Sequence, residues 1–240
     1  MEKKAKFFRN VIASSILIII LSVTIALVIA VPSNNSVPTL EPVRGGACSN
    51  SVSIAITLDR NASHVGEILN TLRQEGAGVT FFVSGVWAVE NTDVLKQIYR
   101  DNHSFGNFGF FNVAHKTLSA ERIVDEITLT HKLVKYNTGI EMNVFMPPQA
   151  SYNEATIEIA RALGYTVVSP ALPNTRRGNA SACYANRILD SSQQGGDFIV
   201  LPANQLVAGS LSNIINHIRN QNFSIVPIDA VLTEPLFTSR

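Results

Sequence analysis

"VSIAITLDRNASHVGEILNTLRQEGAGVTFFV", residues 52–83, holds two apolar runs around one amphipathic segment. Val52, Ile54, Ile56 and Leu58 alternate with the small Ser53, Ala55 and Thr57, so the first run reads as a strand buried on both faces. Ser63 is a candidate N-cap. Val65, Ile68, Leu69 and Leu72 then follow at helical spacing, which predicts a helix to about Gln74. Gly76 and Gly78 break it, and "VTFFV" (79–83) is a second strand. A strand, a helix and a strand in succession make a unit whose strands run parallel through a right-handed crossover.

The alternation continues outward. Val94, Leu95, Ile98 and Tyr99 mark a helix, "SFGNF" (104–108) a short strand, and Ser119 caps a helix carrying Ile123, Ile127 and Val134. "NVFM" (143–146) is a strand stopped by Pro147 and Pro148, and Asn153 caps a helix that ends at Gly164. "YTVV" (165–168), a short helix around Ile188, "FIVL" (198–201), a helix with Leu211, Ile214, Ile215 and Ile218, and "FSIVPI" (223–228) complete the series. Six or seven such units over about 180 residues predict an α/β barrel, complete or incomplete, rather than an open sheet. Chemistry in such barrels gathers at the C-terminal strand ends. Here those ends offer Asp59, Asn112, Met146 with Pro147, Ser169 with Pro170, and Pro202.

The N-terminal side differs. Residues 1–10 carry Lys3, Lys4, Lys6 and Arg9, and Val11 to Val31 is uncharged. About 20 apolar residues cross a bilayer as a helix, and a basic flank stays in the cytoplasm. Residues 11–31 therefore read as a transmembrane signal-anchor, with the rest of the chain outside the cytoplasm. A cleaved signal peptide fits less well, because the apolar run exceeds an ordinary h-region. Residues 32–50, rich in Pro and Asn, read as a linker, 51–233 as the folded domain and 234–240 as a tail.

Four of the 19 basic residues and one of the 18 acids lie in the first ten positions, leaving 15 against 17, a net −2. No basic face points to nucleic acid. Cys48 and Cys183 both fall in the exported part, where pairing and two separate thiols both stand open.

"GVTFFVSGVWAVENTDVLKQIYRDNHSFGN" (78–107), "FMPPQASYNEATIEIARALGYTVV" (145–168) and "GGDFIVLPANQ" (195–205) together resemble the polysaccharide deacetylases of carbohydrate esterase family 4, the NodB-homology domain. The likeness runs in the family's order over roughly residues 50 to 233. It implies a distorted (β/α) barrel of that type, and an activity that removes N-acetyl groups from carbohydrate with a divalent metal.

At the positions that would carry the activity the chain departs from the family. The family's "TFDDG", one Asp a base and the next a metal ligand, is here Thr57-Leu58-Asp59-Arg60-Asn61, so Asp59 keeps the base position and Arg60 replaces the ligand. The two His ligands of "HxxxH" fall on Phe108 and Asn112. The Arg that orients the base falls on Met146, and the His that acts as general acid falls on Pro202. The fourth motif's Asp and Trp have no counterpart, since no Asp, Glu or Trp lies between Ile159 and Leu189. Zinc and similar ions need anionic or neutral lone-pair donors. Phe108 has none and Arg60 brings a positive charge, so the expectation is a protein with no cofactor, zinc entering only if the site has been rebuilt.

Arg60, Arg176 or Arg177 is then expected to neutralise Asp59 as a structural ion pair. Of the five histidines, His131, His217 and His64 read as surface or helix-face residues, and by the resemblance His103 falls on a family His that is not a ligand. His115, three positions past Asn112, is the one candidate for a relocated site with Asp59. Trp87 and Tyr152 are candidates for a glycan-binding groove, with core burial the competing reading for Trp87. Phe108 and Phe111 read as plugs filling the volume of the lost metal. Three functions follow: a non-catalytic deacetylase-like protein binding cell-wall polysaccharide or an envelope protein, an active carbohydrate N-deacetylase with an atypical site, or a structural envelope module.

Overall fold

The computed structural model describes residues 41–46, 50–169 and 194–233. Strands β1 (Ser51–Leu58), β2 (Thr80–Val83), β3 (Ser104–Asn107), β4 (Val144–Phe145), β5 (Thr166–Val167) and β6 (Phe198–Pro202) lie in the order β5-β4-β3-β2-β1-β6, with β7 (Ser224–Ile225) also against β1. Every pairing between strands is parallel. The helices between them are α1 (Val65–Glu75), α2 (Gly85–Glu90), α3 (Thr92–Arg100), α4 (Ala120–Thr138), α5 (Glu154–Ala162), α6 (Gln205–Asn220) and α7 (Ile228–Thr233).

The sheet curls, and a segment read from sequence as linker helps to close it. Val43 bridges Val168 beyond β5, while Gly45 bridges Asp197 ahead of β6. The amides of Val43 and Gly46 donate to Val167 O and Gly196 O. The predicted anchor (11–31), Cys48, Cys183, Arg176, Arg177 and the helix at Ile188 lie outside the described residues. Among the described residues no helix is long and apolar enough to cross a membrane.

Alternation along the strands builds two cores. Ile54, Ile56 and Leu58 of β1, Phe81 and Val83 of β2, Phe145 and Ile199 face the helices and meet Ile68, Leu72, Ile127 and Ile214. Ala55, Phe82, Phe108, Val144, Met146, Val168 and Phe198 point into the barrel, joined by Ile228 and Val231 of α7. The small Ala55 and Gly106 make room for the phenyl rings. A Cβ on Gly106 would stand 2.4 Å from Phe82.

Three sequence expectations change. The run 223–228 is not one strand, because pairing ends at Ile225 and α7 begins at Ile228. Ile228 N donates to Thr80 Oγ1 at 2.9 Å, and Ser53 Oγ donates to Val226 O at 2.8 Å, so this turn seals the N-terminal end of the barrel. The cap position of α1 is His64 at φ 57°, not Ser63, whose amide is spent on Ala203 O. Helix α2, where the sequence reading placed no element, is capped by Ser84 and carries Trp87 into the core at 3% exposure.

Candidate functional site

The C-terminal strand ends bring Asp59, Phe108, Asn112, Met146 and Pro202 to the barrel mouth. Asp59, one residue beyond β1, continues the inward alternation of Ser53, Ala55 and Thr57. Its Oδ1 accepts the Asn61 amide at 2.9 Å and its carbonyl accepts the Ala62 amide at 3.0 Å, a local turn of the kind Asp side chains favour. Its Oδ2 accepts Asn112 Nδ2 at 3.3 Å.

The predicted ion pair with Arg60 is not formed. Arg60 is exposed, and among the described residues no salt bridge reaches Asp59. A carboxylate that already accepts an amide and a carboxamide at a half-open mouth does not need a cation.

Phe108 (8% exposed) and Met146 are packed into the inner core. Phe111 is not. It is 46% exposed, edge-on to Phe110 at 4.8 Å, and the Arg122 guanidinium lies 4.9 Å from its ring centre.

The loop 108–112 that carries these residues is held from several sides. Glu126, fully buried on α4, accepts the Phe110 and Phe111 amides on one oxygen, each at 2.7 Å, and Arg122 Nη2 on the other at 2.8 Å. Asn107 Oδ1 accepts the Gly109 amide at 3.0 Å, and Gly85 N and Val86 N donate to Gly109 O and Phe110 O. Asn112 sits at φ 55°, and its carbonyl accepts Gln149 Nε2 at 3.0 Å. Its Oδ1 is buried with no hydrogen-bond partner among the described residues.

His115 does not join Asp59. It is fully buried, with its ring 5.5 Å from that of Phe145, a residue on the helix-facing side of β4. Neither ring nitrogen has a partner among the described residues, and burial pushes its pKa down to about 4. Trp87, deep in the core, presents no free face to a sugar, whereas Tyr152 is half-buried at the edge of the same core.

Sequence reading missed Glu126, although an acid flanked by Ile123, Ile127 and Thr130 on a buried helical stripe is itself a signal. It also passed over Asn107 and Tyr165; His131, read as a surface or helix-face residue, lies partly exposed on α4.

The comparisons agree with this geometry. A sequence model described as polysaccharide deacetylase matches residues 46–168. The chain belongs to the polysaccharide deacetylase family. It is 23% identical over 197 residues to the protein YlxY of Bacillus subtilis, covering 81% of this chain and 61% of that protein, so it spans under two thirds of this relative's length. To the peptidoglycan-N-acetylmuramic acid deacetylase PdaA of Bacillus subtilis it is 22% identical over 191 residues, covering 76% of this chain and 72% of that one.

In three dimensions it is similar to a family 4 carbohydrate esterase pseudoenzyme from Bacillus anthracis. The TM-score is 0.74 at 22% identity, with 82% of this chain and 70% of that one covered. A mutant of that neighbour is described as having restored enzymatic activity. The fold of the polysaccharide deacetylase family is thus present.

The donors for the family's metal do not fit. At the three positions that the resemblance assigns to its ligands stand Arg60, Phe108 and Asn112, one cation, one hydrocarbon and one weak carboxamide oxygen. Among the described residues no three His, Cys, Asp or Glu gather elsewhere to replace them.

Proposed function

We propose that this is a non-catalytic polysaccharide deacetylase-like protein, anchored in the cell membrane through residues 11–31 with its barrel outside the cytoplasm. There its mouth binds cell-wall glycan or an envelope protein. The observation that carries this reading is the donor set at the mouth. Asp59 is kept in the base position, but Arg60, Phe108 and Asn112 offer no grip for a divalent ion.

Water without such an ion is a far weaker acid than metal-bound water, and a lone carboxylate is a poor base for it. With Pro202 in place of the family's acid, no imidazole at that strand end protonates a leaving amine. The firmly held loop 108–112, with Phe111 exposed on it, suits recognition: an aromatic ring fixed in place stacks on a sugar at little cost in entropy. Relatives named for peptidoglycan deacetylation make peptidoglycan the first ligand to try.

The test is thermal unfolding of the purified full chain with peptidoglycan fragments, alongside acetate release from the same fragments with zinc or cobalt added. A ligand that binds the folded form alone raises the melting temperature. We expect a rise with fragments and no acetate. Acetate release that a chelator abolishes supports the active N-deacetylase instead, and no response to any glycan supports the envelope module.

A further inference from the structure

The end of β3 is tied to the protein surface by a chain of polar side chains outside the barrel mouth. On α4, Lys135 and His131 both contact Glu141, with His131 Nε2 2.6 Å from Glu141 Oε2. The other imidazole nitrogen, Nδ1, meets the Tyr165 hydroxyl. That hydroxyl lies 3.1 Å from Nδ2 of Asn107, which is fully buried.

Hydrogen-bond accounting leaves a single placement of the protons. The Gly109 amide can only donate, so the Asn107 atom facing it at 3.0 Å is the carbonyl oxygen. The Ile127 carbonyl can only accept, so the atom facing it at 2.8 Å is the amide nitrogen. These two contacts fix the carboxamide, and its second N–H is turned to the Tyr165 oxygen, which accepts. The Tyr165 proton then goes to His131 Nδ1, which must be bare, and Nε2–H donates to Glu141. Every group is satisfied by a neutral His131 protonated on Nε2.

We propose that Glu141, His131, Tyr165 and Asn107 form a proton-set strut that holds the mouth loop 108–112, and that protonation of His131 loosens it. In the imidazolium both nitrogens donate. Nδ1–H then faces a Tyr165 oxygen that already accepts from Asn107, and the Tyr165 proton is left with no acceptor among the described residues. Ionising Tyr165 gives no escape, since burial pushes that hydroxyl up to about 12. The strain falls on Asn107 and through it on the Gly109 amide.

The charged and titratable groups around His131 are Glu141 from the loop after α4, Lys135 and Lys132 on α4, and Tyr165 leading into β5. The end of α5 contributes the apolar Leu163. The inference leans on the proposed function only for what the loop presents to a ligand, and its test reads the loop itself.

The experiment is nitrogen-15 NMR of the full chain as a function of pH. Neutral His131 should carry its proton on Nε2, and the Gly109 amide resonance should move with the same midpoint as the imidazole. Tyr165→Phe should uncouple the two, while Glu141→Gln, which keeps an acceptor but removes a charge, should keep the coupling and lower the midpoint. A neutral ring protonated on Nδ1 overturns the proposal. So does a Gly109 amide that stays still while His131 titrates, or one that follows it unchanged in Tyr165→Phe. If Tyr165→Phe does not fold, the titration of the unaltered chain decides alone. Failure of the mouth to bind glycan would leave these readings intact.

Discussion

Asp59 and Arg60 are neighbours in sequence that act separately in the fold. Asp59 is satisfied by the Asn61 amide and the Asn112 carboxamide, and Arg60 by solvent. Asp59→Asn keeps an oxygen for the Asn61 amide, so its expected cost in urea unfolding is under about 1 kcal/mol. Arg60→Ala should stay within about 0.5 kcal/mol, as exposed substitutions do. The double variant should equal the sum of the two, whereas a coupling above about 1 kcal/mol would restore the ion pair.

His115 makes the opposite case, a titratable group the fold cannot charge. Burial lowers its pKa from the ordinary 6.5 to about 4, so below pH 6.5 the unfolded chain takes up a proton that the folded one refuses. Its share of stability is therefore full above about pH 6.5, falls as the pH drops toward 4, and is flat below that. The loss amounts to about 3 kcal/mol over that window. In His115→Leu this part of the acid sensitivity should vanish. Parallel urea midpoints at pH 7 and pH 4.5, unchanged in their difference, would show that the imidazole is hydrated after all.

At the scale of elements, the β3–α4 connection is shaped by one side chain of α4. Glu126 is fully buried and holds two amides, whereas its partner Arg122 is 41% exposed. Removing the acid strands two part-buried N–H groups, and hydrogen bonds to a charged acceptor are worth about 1.5–3 kcal/mol each. Glu126→Ala should then cost about 3 kcal/mol or more. Arg122→Ala, which leaves both amides bonded, should cost below about 1 kcal/mol in the same measurement. Equal losses would mean that the ion pair, not the amide pair, holds the loop.

The contrast also explains what the sequence made legible. Strands β1 and β2 and helices α4 and α6 were readable because periodicity and burial agree along them. The segment 41–46 was not, since Val43 and Gly45 make isolated bridges with no pattern of their own. Nor was α7, where one residue past Pro227 separates strand spacing from helix spacing. At the site, departures from the family pattern such as Phe108 and Pro202 could be read position by position from the resemblance. The hold on the loop could be read only in part: Glu126 stands out on a buried stripe, whereas its amide partners and the Asn107–Tyr165 contact are set by tertiary packing.

At the scale of the whole molecule, barrel and chemistry come apart. The strand pairings do not involve the residues at 60, 108 and 112, so the sheet should accept a metal site put back at its mouth. Asp59 and Asn112 already meet across the mouth at 3.3 Å, which bounds how far a ligand at 112 must reach. Three donors are needed together, because zinc held by protein in an open site takes three side chains. Arg60→Asp, Phe108→His and Asn112→His combined supply one carboxylate and two imidazoles. Phe108 is part of the inner core, so without metal the triple variant should be less stable than the parent by about 3 kcal/mol or more. Zinc should then raise its melting temperature and a chelator reverse the rise, because binding free energy at such a site adds to folding free energy. The parent chain should respond to neither. Zinc uptake by the parent equal to that of the variant, or a natively folded variant that takes up none, would show that residues beyond these three decide whether this barrel holds a metal.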